Sequence, residues 1–146
     1  MTLHPSELRD PQELMTQVSA RVPLLGNTAF LVLVTDPSTT QTLEAVHRLG
    51  TPAQIDHWSQ AADELVTAVG GLAIPREPGP PHEVLMSVVV RPGLCVFGAN
   101  ESQWFRAWRY SNHLARAYSG QLILVTEHGW RDSMSEEAGH LPAMAA

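Results

Sequence analysis

The chain has a single cysteine, Cys95, which excludes an internal disulfide bond. It has no lysine, so its nine basic residues are all arginines, and its formal net charge is −6. An acidic protein is not steered to nucleic acid or to an anionic membrane by its overall field. No apolar run approaches the roughly 20 residues that cross a bilayer, and no apolar leader follows a basic N-terminus. These absences predict a cytoplasmic protein without a membrane partner.

The sequence also lacks the short motifs that mark common enzyme families. It contains no Gly-x-Ser-x-Gly elbow, no His-Glu-x-x-His, no Cys-x-x-Cys pair and no glycine-rich dinucleotide fingerprint. Cys95 lies in the apolar run Leu94–Phe97, which is typical of an inert core thiol rather than a nucleophile. We therefore expect no cofactor and no metal, and a binding function is favoured over catalysis.

The remaining composition is that of a globular chain. Of 146 residues, 44% are hydrophobic and 16% are charged, which is enough apolar material for one core. We predict one α+β domain over residues 1–130. Residues 131–146 are acidic and contain alanine and glycine, and they predict a mobile C-terminal tail.

Four segments begin with a small polar residue that is followed three positions later by Glu or Gln, the pattern that caps helix N-termini. The predicted helices begin at Asp10, Ser38, Thr51 and Asn100 and extend to about Val22, Leu49, Val69 and Gly120.

Four short apolar runs predict strands, at Ala29–Thr35, Val84–Arg91, Leu94–Phe97 and Gln121–Thr126. Pro92 and Gly93 predict a hairpin between the middle two. After the first helix, this order matches a ferredoxin-like βαββαβ sheet with an extra N-terminal helix. Because residues 30–34 are apolar without alternation, both faces of the sheet should be covered, by the N-terminal helix or by a second chain. A mixed three-layer α/β sheet is the alternative architecture.

The helix predicted from Asn100 has two different faces. At 3.6 residues per turn, Trp104 and Trp108 fall on an apolar side that should face the core. The opposite side carries four basic residues, flanked by two aromatic rings: Arg106, Arg109, His113 and Arg116, with Phe105 and Tyr110 at the edges. Arginine donates charge-assisted hydrogen bonds to carboxylates and phosphates. These six residues therefore predict a binding surface for a protein partner or an anionic ligand.

Nucleic acid is a weaker interpretation of the same surface. The two rings would suit base stacking, but three arginines neutralise only about three phosphates. Such a contact predicts weak binding that falls steeply with salt.

A second candidate site depends on the fold. In a ferredoxin-like sheet, one end would gather polar residues at the ends of several elements: Asn27, His82, Glu83, Asn100, Glu101, Glu127 and His128. His128 with Glu127 or Glu83 would form an acid–base pair, and together with His82 they would be candidate metal ligands. In the three-layer alternative, Asp36 would instead meet Glu127 and His128 at the carboxyl edge of parallel strands.

The sequence thus favours a small cytoplasmic binding or regulatory domain that forms a homodimer and contacts an acidic or phosphate-bearing partner. The alternative is a metal-dependent or acid–base enzyme that uses the His and Glu residues at one end of the sheet.

Overall fold

The helix capped by Asp10 forms as the sequence predicts. In the computed structural model, which describes residues 3–72, 74, 78–111 and 116–141, α1 spans Pro11–Arg21. The Asp10 carboxylate accepts the Glu13 backbone N–H at 3.1 Å, and Pro11 takes the first helical position, where its missing N–H costs nothing. One face of α1 is buried, through Leu14, Met15 and Val18.

Six strands and three helices make up the described part of the chain, which is an α+β protein with a mixed sheet. The remaining elements are, in chain order, β1 (Thr28–Thr35), β2 (Thr42–Arg48), α2 (Ser59–Gly71), β3 (Glu83–Val90), α3 (Ala99–Ser111), β4 (Tyr118–Thr126), β5 (Gly129–Asp132) and β6 (Ala138–Gly139). The strand order is β2-β1-β3-β4-β5-β6. Only β3 and β4 run parallel among these six strands, and the other neighbours are antiparallel.

The helix predicted from Ser38 to Leu49 is wrong, because this segment forms β2. Asp36 and Gln41 both adopt positive φ, at 47° and 52°, and turn the chain back along β1. Gln41 was expected to complete the capping pattern that begins at Ser38, but its buried amide bonds the N–H and C=O of Asp10 instead, at 2.8 Å each. A glutamine used in this way cannot cap a helix.

The strand predicted at Leu94–Phe97 and its hairpin are also wrong. The Arg91 guanidinium, at the end of β3, donates to the carbonyls of Pro92, Leu94 and Val96 and folds them into a loop. The chain then enters α3, which crosses over to β4. A helix between β3 and β4 allows them to be parallel, whereas a tight hairpin would make them antiparallel.

Both faces of the sheet are covered, as the apolar runs without alternation predict. On one face, α1 packs against side chains such as Phe30, Val32 and Met86. On the other face, α2 and α3 pack against Leu31 and Leu85 through a second core. All eight residues of β3 are buried. Helices therefore lie on both sides of a mixed sheet, and the ferredoxin-like strand order is not found.

Several helices and strands begin or end at residues other than those that the sequence predicts. The helix expected from Thr51 begins at Ser59, since the backbone N–H of Thr51 bonds the Glu64 carboxylate at 2.7 Å in a loop. Tyr118, expected on the last helix, starts β4, and residues 112–115 lie outside the described residues. Part of the segment after residue 130 belongs to the sheet, in β5 and β6, and residues 142–146 are not described.

Strand β2 forms one edge of the sheet, and Arg21 lies against it. The Arg21 guanidinium donates to the carbonyls of Leu43 and Glu44, at 2.6 and 3.3 Å. The opposite edge, β6, is two residues long. Within the described residues, no helix has the length and apolar character that a membrane span requires.

Candidate functional site

Helix α3 presents two faces, as its sequence predicts. Trp104, Ala107 and Trp108 are buried against the sheet, and the Trp104 indole donates to the Ala53 carbonyl at 2.7 Å. This contact fixes the rotation of the helix about its axis. Arg106 and Arg109 are consequently exposed on the side that faces away from the sheet.

Within the described part of the chain, neither Arg106 nor Arg109 is engaged by another side chain in an ion pair. Arg116 is exposed too, but it lies in the connection just before β4 and not within α3. His113 falls in the segment 112–115, outside the described residues.

The two aromatic residues predicted at the edges of the arginines differ in their surroundings. Tyr110 is 52% exposed, and its ring lies 5.4 Å from the ring of Trp58. Phe105 is partly buried in the core of α2 and α3, with its ring 6.3 Å from that of Phe97. Tyr110 is therefore available to a partner, whereas Phe105 serves the core.

Trp58 is the residue that the sequence analysis did not single out as a candidate for binding. It lies just before α2 and is partly exposed. Its backbone N–H donates to the Gln103 side chain of α3 at 2.9 Å, which holds its ring beside Tyr110. The sequence does offer a signal for a later helix start, in the segment Asp56-His57-Trp58-Ser59-Gln60. In the structure, the side-chain oxygen of Gln60 accepts the backbone N–H groups of Asp56 and His57, which is a capping pattern that begins after Thr51.

We refer to Arg106, Arg109, Tyr110 and Trp58 as the aromatic–arginine surface. Arg106 lies one turn before Tyr110, and the three α3 residues cover an arc of about 100° at 3.6 residues per turn. Arginine and the larger aromatic residues are the types enriched where proteins contact each other.

The predicted cluster of His82, Glu83, Glu127 and His128 is not formed. His82 and Glu83 lie at the start of β3, while Glu127 and His128 follow the end of β4. Because β3 and β4 are parallel, these positions are at opposite ends of the sheet, separated by more than the length of β3, which is about 23 Å at 3.3 Å per residue. Acid–base chemistry needs hydrogen-bond reach, so the four residues do not act as one site.

The variant of this prediction with Asp36 is wrong for the same reason. Asp36 follows β1, which runs antiparallel to β3, and its N–H donates to the His82 carbonyl at 2.7 Å. The Asp36 carboxylate lies 3.7 Å from the ring of His82, and both side chains are about half exposed to solvent. Asp36 is thus far from Glu127 and His128.

Glu127 has a local role in the structure. Both of its carboxylate oxygens accept the N–H of Gly93, at 3.1 and 3.0 Å, and Oε1 lies 3.7 Å from Nε2 of His128. Hydrogen bonds from its own backbone N–H and from that of Gly93 lower the pKa of Glu127. A carboxylate with a lowered pKa is ionised at neutral pH and is a poor general acid.

Glu101, expected at the same end of the sheet, is fully buried and engaged. It accepts Nε and Nη2 of Arg91, each at 2.8 Å, together with Gly98 N–H and the Asn100 amide at 2.9 Å each. Burial opposes ionisation of Glu101, but these hydrogen bonds outweigh it and lower its pKa. Asn100 also bridges the Ala53 carbonyl and the Ile55 N–H. These residues hold the loop before α3.

Among the residues that the structure describes, no three His, Cys, Asp or Glu side chains are grouped to hold a metal ion. In comparisons with known proteins, no family model matches the chain, and no curated protein or solved structure gives a significant match either.

Proposed function

We propose that this protein is a binding or regulatory module, and that its aromatic–arginine surface contacts an acidic segment of a protein partner. The observation that carries the proposal is that Arg106 and Arg109 are exposed without an ion pair among the described residues, on the helix that also presents Tyr110 to the tilted ring of Trp58. Free guanidinium groups offer several donors to a carboxylate or phosphate.

The rings favour a protein partner over nucleic acid. Tyr, Trp and Arg are the residue types that most often dominate binding free energy in protein interfaces. Trp58 is already held by Gln103 and Tyr110, so little side-chain freedom is lost when a partner packs on it. A net charge of −6 opposes the approach of a nucleic acid, and two arginines on one helix supply few phosphate contacts.

The sequence predicts that the proposed module is a homodimer. One reason for that prediction was that a second chain could cover the second face of the sheet. The second face of the sheet is covered by α1 of the same chain, so sheet-to-sheet pairing is not needed to bury it. A second copy remains a prediction that native mass spectrometry tests directly.

The experiment measures fluorescence anisotropy with three labelled probes: an octaglutamate peptide, a phosphoserine peptide of the same length and a single-stranded oligonucleotide. We expect the acidic peptides to bind, and Arg106→Ala/Arg109→Ala to weaken binding about tenfold, which corresponds to about 1.4 kcal/mol. Tyr110→Ala should weaken it further, because the ring would no longer cover the bound segment.

Arg9→Ala is the matched control. It removes an exposed arginine at the start of α1, which packs on the other face of the sheet, and should leave binding unchanged. Equal binding by wild type and the double variant contradicts the proposal, as does failure of both acidic peptides to bind. Binding of the oligonucleotide alone, with a steep loss between about 50 and about 200 mM salt, would support nucleic acid instead.

A further inference from the structure

A pocket with basic walls lies at the end of the sheet where β4 turns into β5. It has a volume of about 250 Å³ and is lined in part by Cys95, His128, Arg131 and His140. Cys95 comes from the loop after β3, His128 from the turn after β4, and Arg131 and His140 from β5 and the segment after β6. Four neighbouring parts of the fold therefore contribute to its lining.

The lining is basic and carries no opposing charge of its own. Arg131, His128 and His140 all reach the pocket, and none of the described residues that line it is acidic. The Glu127 carboxylate, next to His128 in the chain, accepts the Gly93 N–H, and its Oε1 lies 3.7 Å from Nε2 of His128. Among the described residues, no carboxylate forms an ion pair with Arg131.

Arg131 is the one arginine among the described residues that line this pocket, and its guanidinium is always charged. It is partly buried, and among the described residues its side chain has neither an ion pair nor a hydrogen bond. By contrast, Arg91, which is similarly shielded, uses its guanidinium fully, on Glu101 and three backbone carbonyls. A guanidinium that is partly removed from water has lost some of its hydrogen-bond acceptors. Binding an anion that supplies these acceptors is therefore favourable.

The walls are held in place without the ligand. The Gln12 side chain of α1 accepts the Trp130 indole N–H at 2.8 Å and donates to the His140 carbonyl at 3.1 Å. Gly129 has φ of +127°, and a Cβ there would collide with the Gly139 carbonyl and lie 3.1 Å from the His140 ring. The turn and the segment after β6 are therefore packed closely, which fixes His140 relative to Arg131.

Cys95 reports on this environment. Burial raises the pKa of its thiol, against the opposing effects of a hydrogen bond to Thr126 and of the positive charge of Arg131. The thiol is therefore neutral at neutral pH, and it lies 3.8 Å from the Leu124 carbonyl and 3.7 Å from that of Gly129. Its raised pKa slows its reaction with electrophiles at neutral pH, but the thiol still reacts with an alkylating reagent through its small thiolate fraction.

We infer that this pocket binds a small oxyanion of the phosphate class, with Arg131 as the principal donor and His140 and His128 around it. The volume suits a phosphate group and lies below the roughly 300 Å³ at which pockets for larger organic ligands begin. The site shares no residue with the aromatic–arginine surface, so the two proposals stand or fall separately.

The test uses Cys95, because a thiol reagent can label this chain at that position alone. The rate of alkylation by iodoacetamide is measured with inorganic phosphate, with free phosphoserine, and with sodium chloride at equal ionic strength. We expect saturable protection by phosphate with a dissociation constant of about 1 mM, as two or three charge-assisted hydrogen bonds would give. Phosphate at about ten times that constant should also raise Tm by about 3 °C.

Arg131→Gln should weaken phosphate protection about tenfold, since it removes the charge and keeps most of the side-chain length. His140→Gln tests the other wall of the pocket independently if Arg131→Gln does not fold. Arg106→Ala/Arg109→Ala is the matched control, and phosphate should protect Cys95 of this variant as well as it protects Cys95 of the wild type. Stronger protection by phosphoserine than by phosphate would identify a phosphomonoester as the ligand, and equal or weaker protection would identify the free ion.

Three results would overturn the inference. Protection by chloride equal to that by phosphate would mean an ionic-strength effect without a site. Undiminished protection in both Arg131→Gln and His140→Gln would place the anion elsewhere. Absence of protection by phosphate and by phosphoserine would mean that the pocket takes neither.

Discussion

Arg91 and Glu101 form a bidentate ion pair with two contacts of 2.8 Å, at the point where β3 leads into α3. The Glu101 side chain is fully buried and that of Arg91 is 13% exposed. The remaining Arg91 donors bond the backbone of the loop, and Gly98 and Asn100 satisfy the carboxylate further. This pair sets the path of the chain between β3 and α3, and with it the parallel pairing of β3 and β4.

Glu101→Gln should destabilise the protein by about 3 kcal/mol, because it leaves the shielded Arg91 without its counter-charge. Urea denaturation gives the free energy of unfolding. Glu13→Gln is the matched control, since it breaks an Arg9–Glu13 pair whose two side chains are each 43% exposed, and it should cost less than about 0.5 kcal/mol. Similar losses in the two variants would contradict a special role for the buried pair.

Stability should fall in acid, partly through Glu101. Its pKa in the folded state is lowered from the ordinary value of 4.5, so its contribution is fully present above that value and is lost as pH falls through the folded pKa. We expect the difference in unfolding free energy between wild type and Glu101→Gln to be constant from about pH 7 to about pH 5 and to shrink toward about pH 3. A difference that stays constant over the whole range would refute this linkage.

Gly129→Ala should destabilise the protein by about 2 kcal/mol or more, as a non-glycine residue at this backbone angle is strained and its Cβ would meet the Gly139 carbonyl. Thermal unfolding measures the loss. Gly26→Ala is the control, because nothing lies within 4 Å of a Cβ at that position, and it should change stability little. If both variants melt together with wild type, the close packing of β5 against β6 is not maintained in solution.

Gln41→Ala should cost about 2 kcal/mol, since it leaves the N–H and C=O of Asp10 without their partner and opens a gap beside a residue that is 1% exposed. Gln54→Ala, at an exposed position, should be nearly neutral. The denaturant midpoints of the two variants are compared. Gln41 joins the start of α1 to the β1–β2 turn, whereas Gln54 faces water. Equal midpoints would show that the hydrogen bonds between Gln41 and Asp10 do not stabilise the protein.

The parts of the fold that the sequence predicts correctly are those in which local pattern and burial agree. α1 has its cap, its proline and its apolar face within a dozen residues, and β1, β3 and β4 are too apolar to be placed anywhere but the centre of a sheet. The two faces of α3 follow from helical periodicity alone, and so does the exposure of Arg106 and Arg109.

The wrong predictions depend on side-chain contacts that local composition does not reveal. Gln41 looks like a cap until Asp10, 31 positions earlier, takes its amide. Leu94–Phe97 has strand composition, but Arg91 and Glu101 bend it into a loop. The order of strands then decides which polar residues meet, and for that reason His82 and His128 are separated although both flank apolar strands.

The edges of the sheet have a consequence for how these molecules behave at high concentration. An edge strand with free backbone groups is a template on which another chain can add a strand and begin to aggregate. Here Arg21 occupies two carbonyls of β2, and β6 is only two residues long. Both features oppose the addition of a strand from another molecule to a sheet whose central strands are almost entirely apolar.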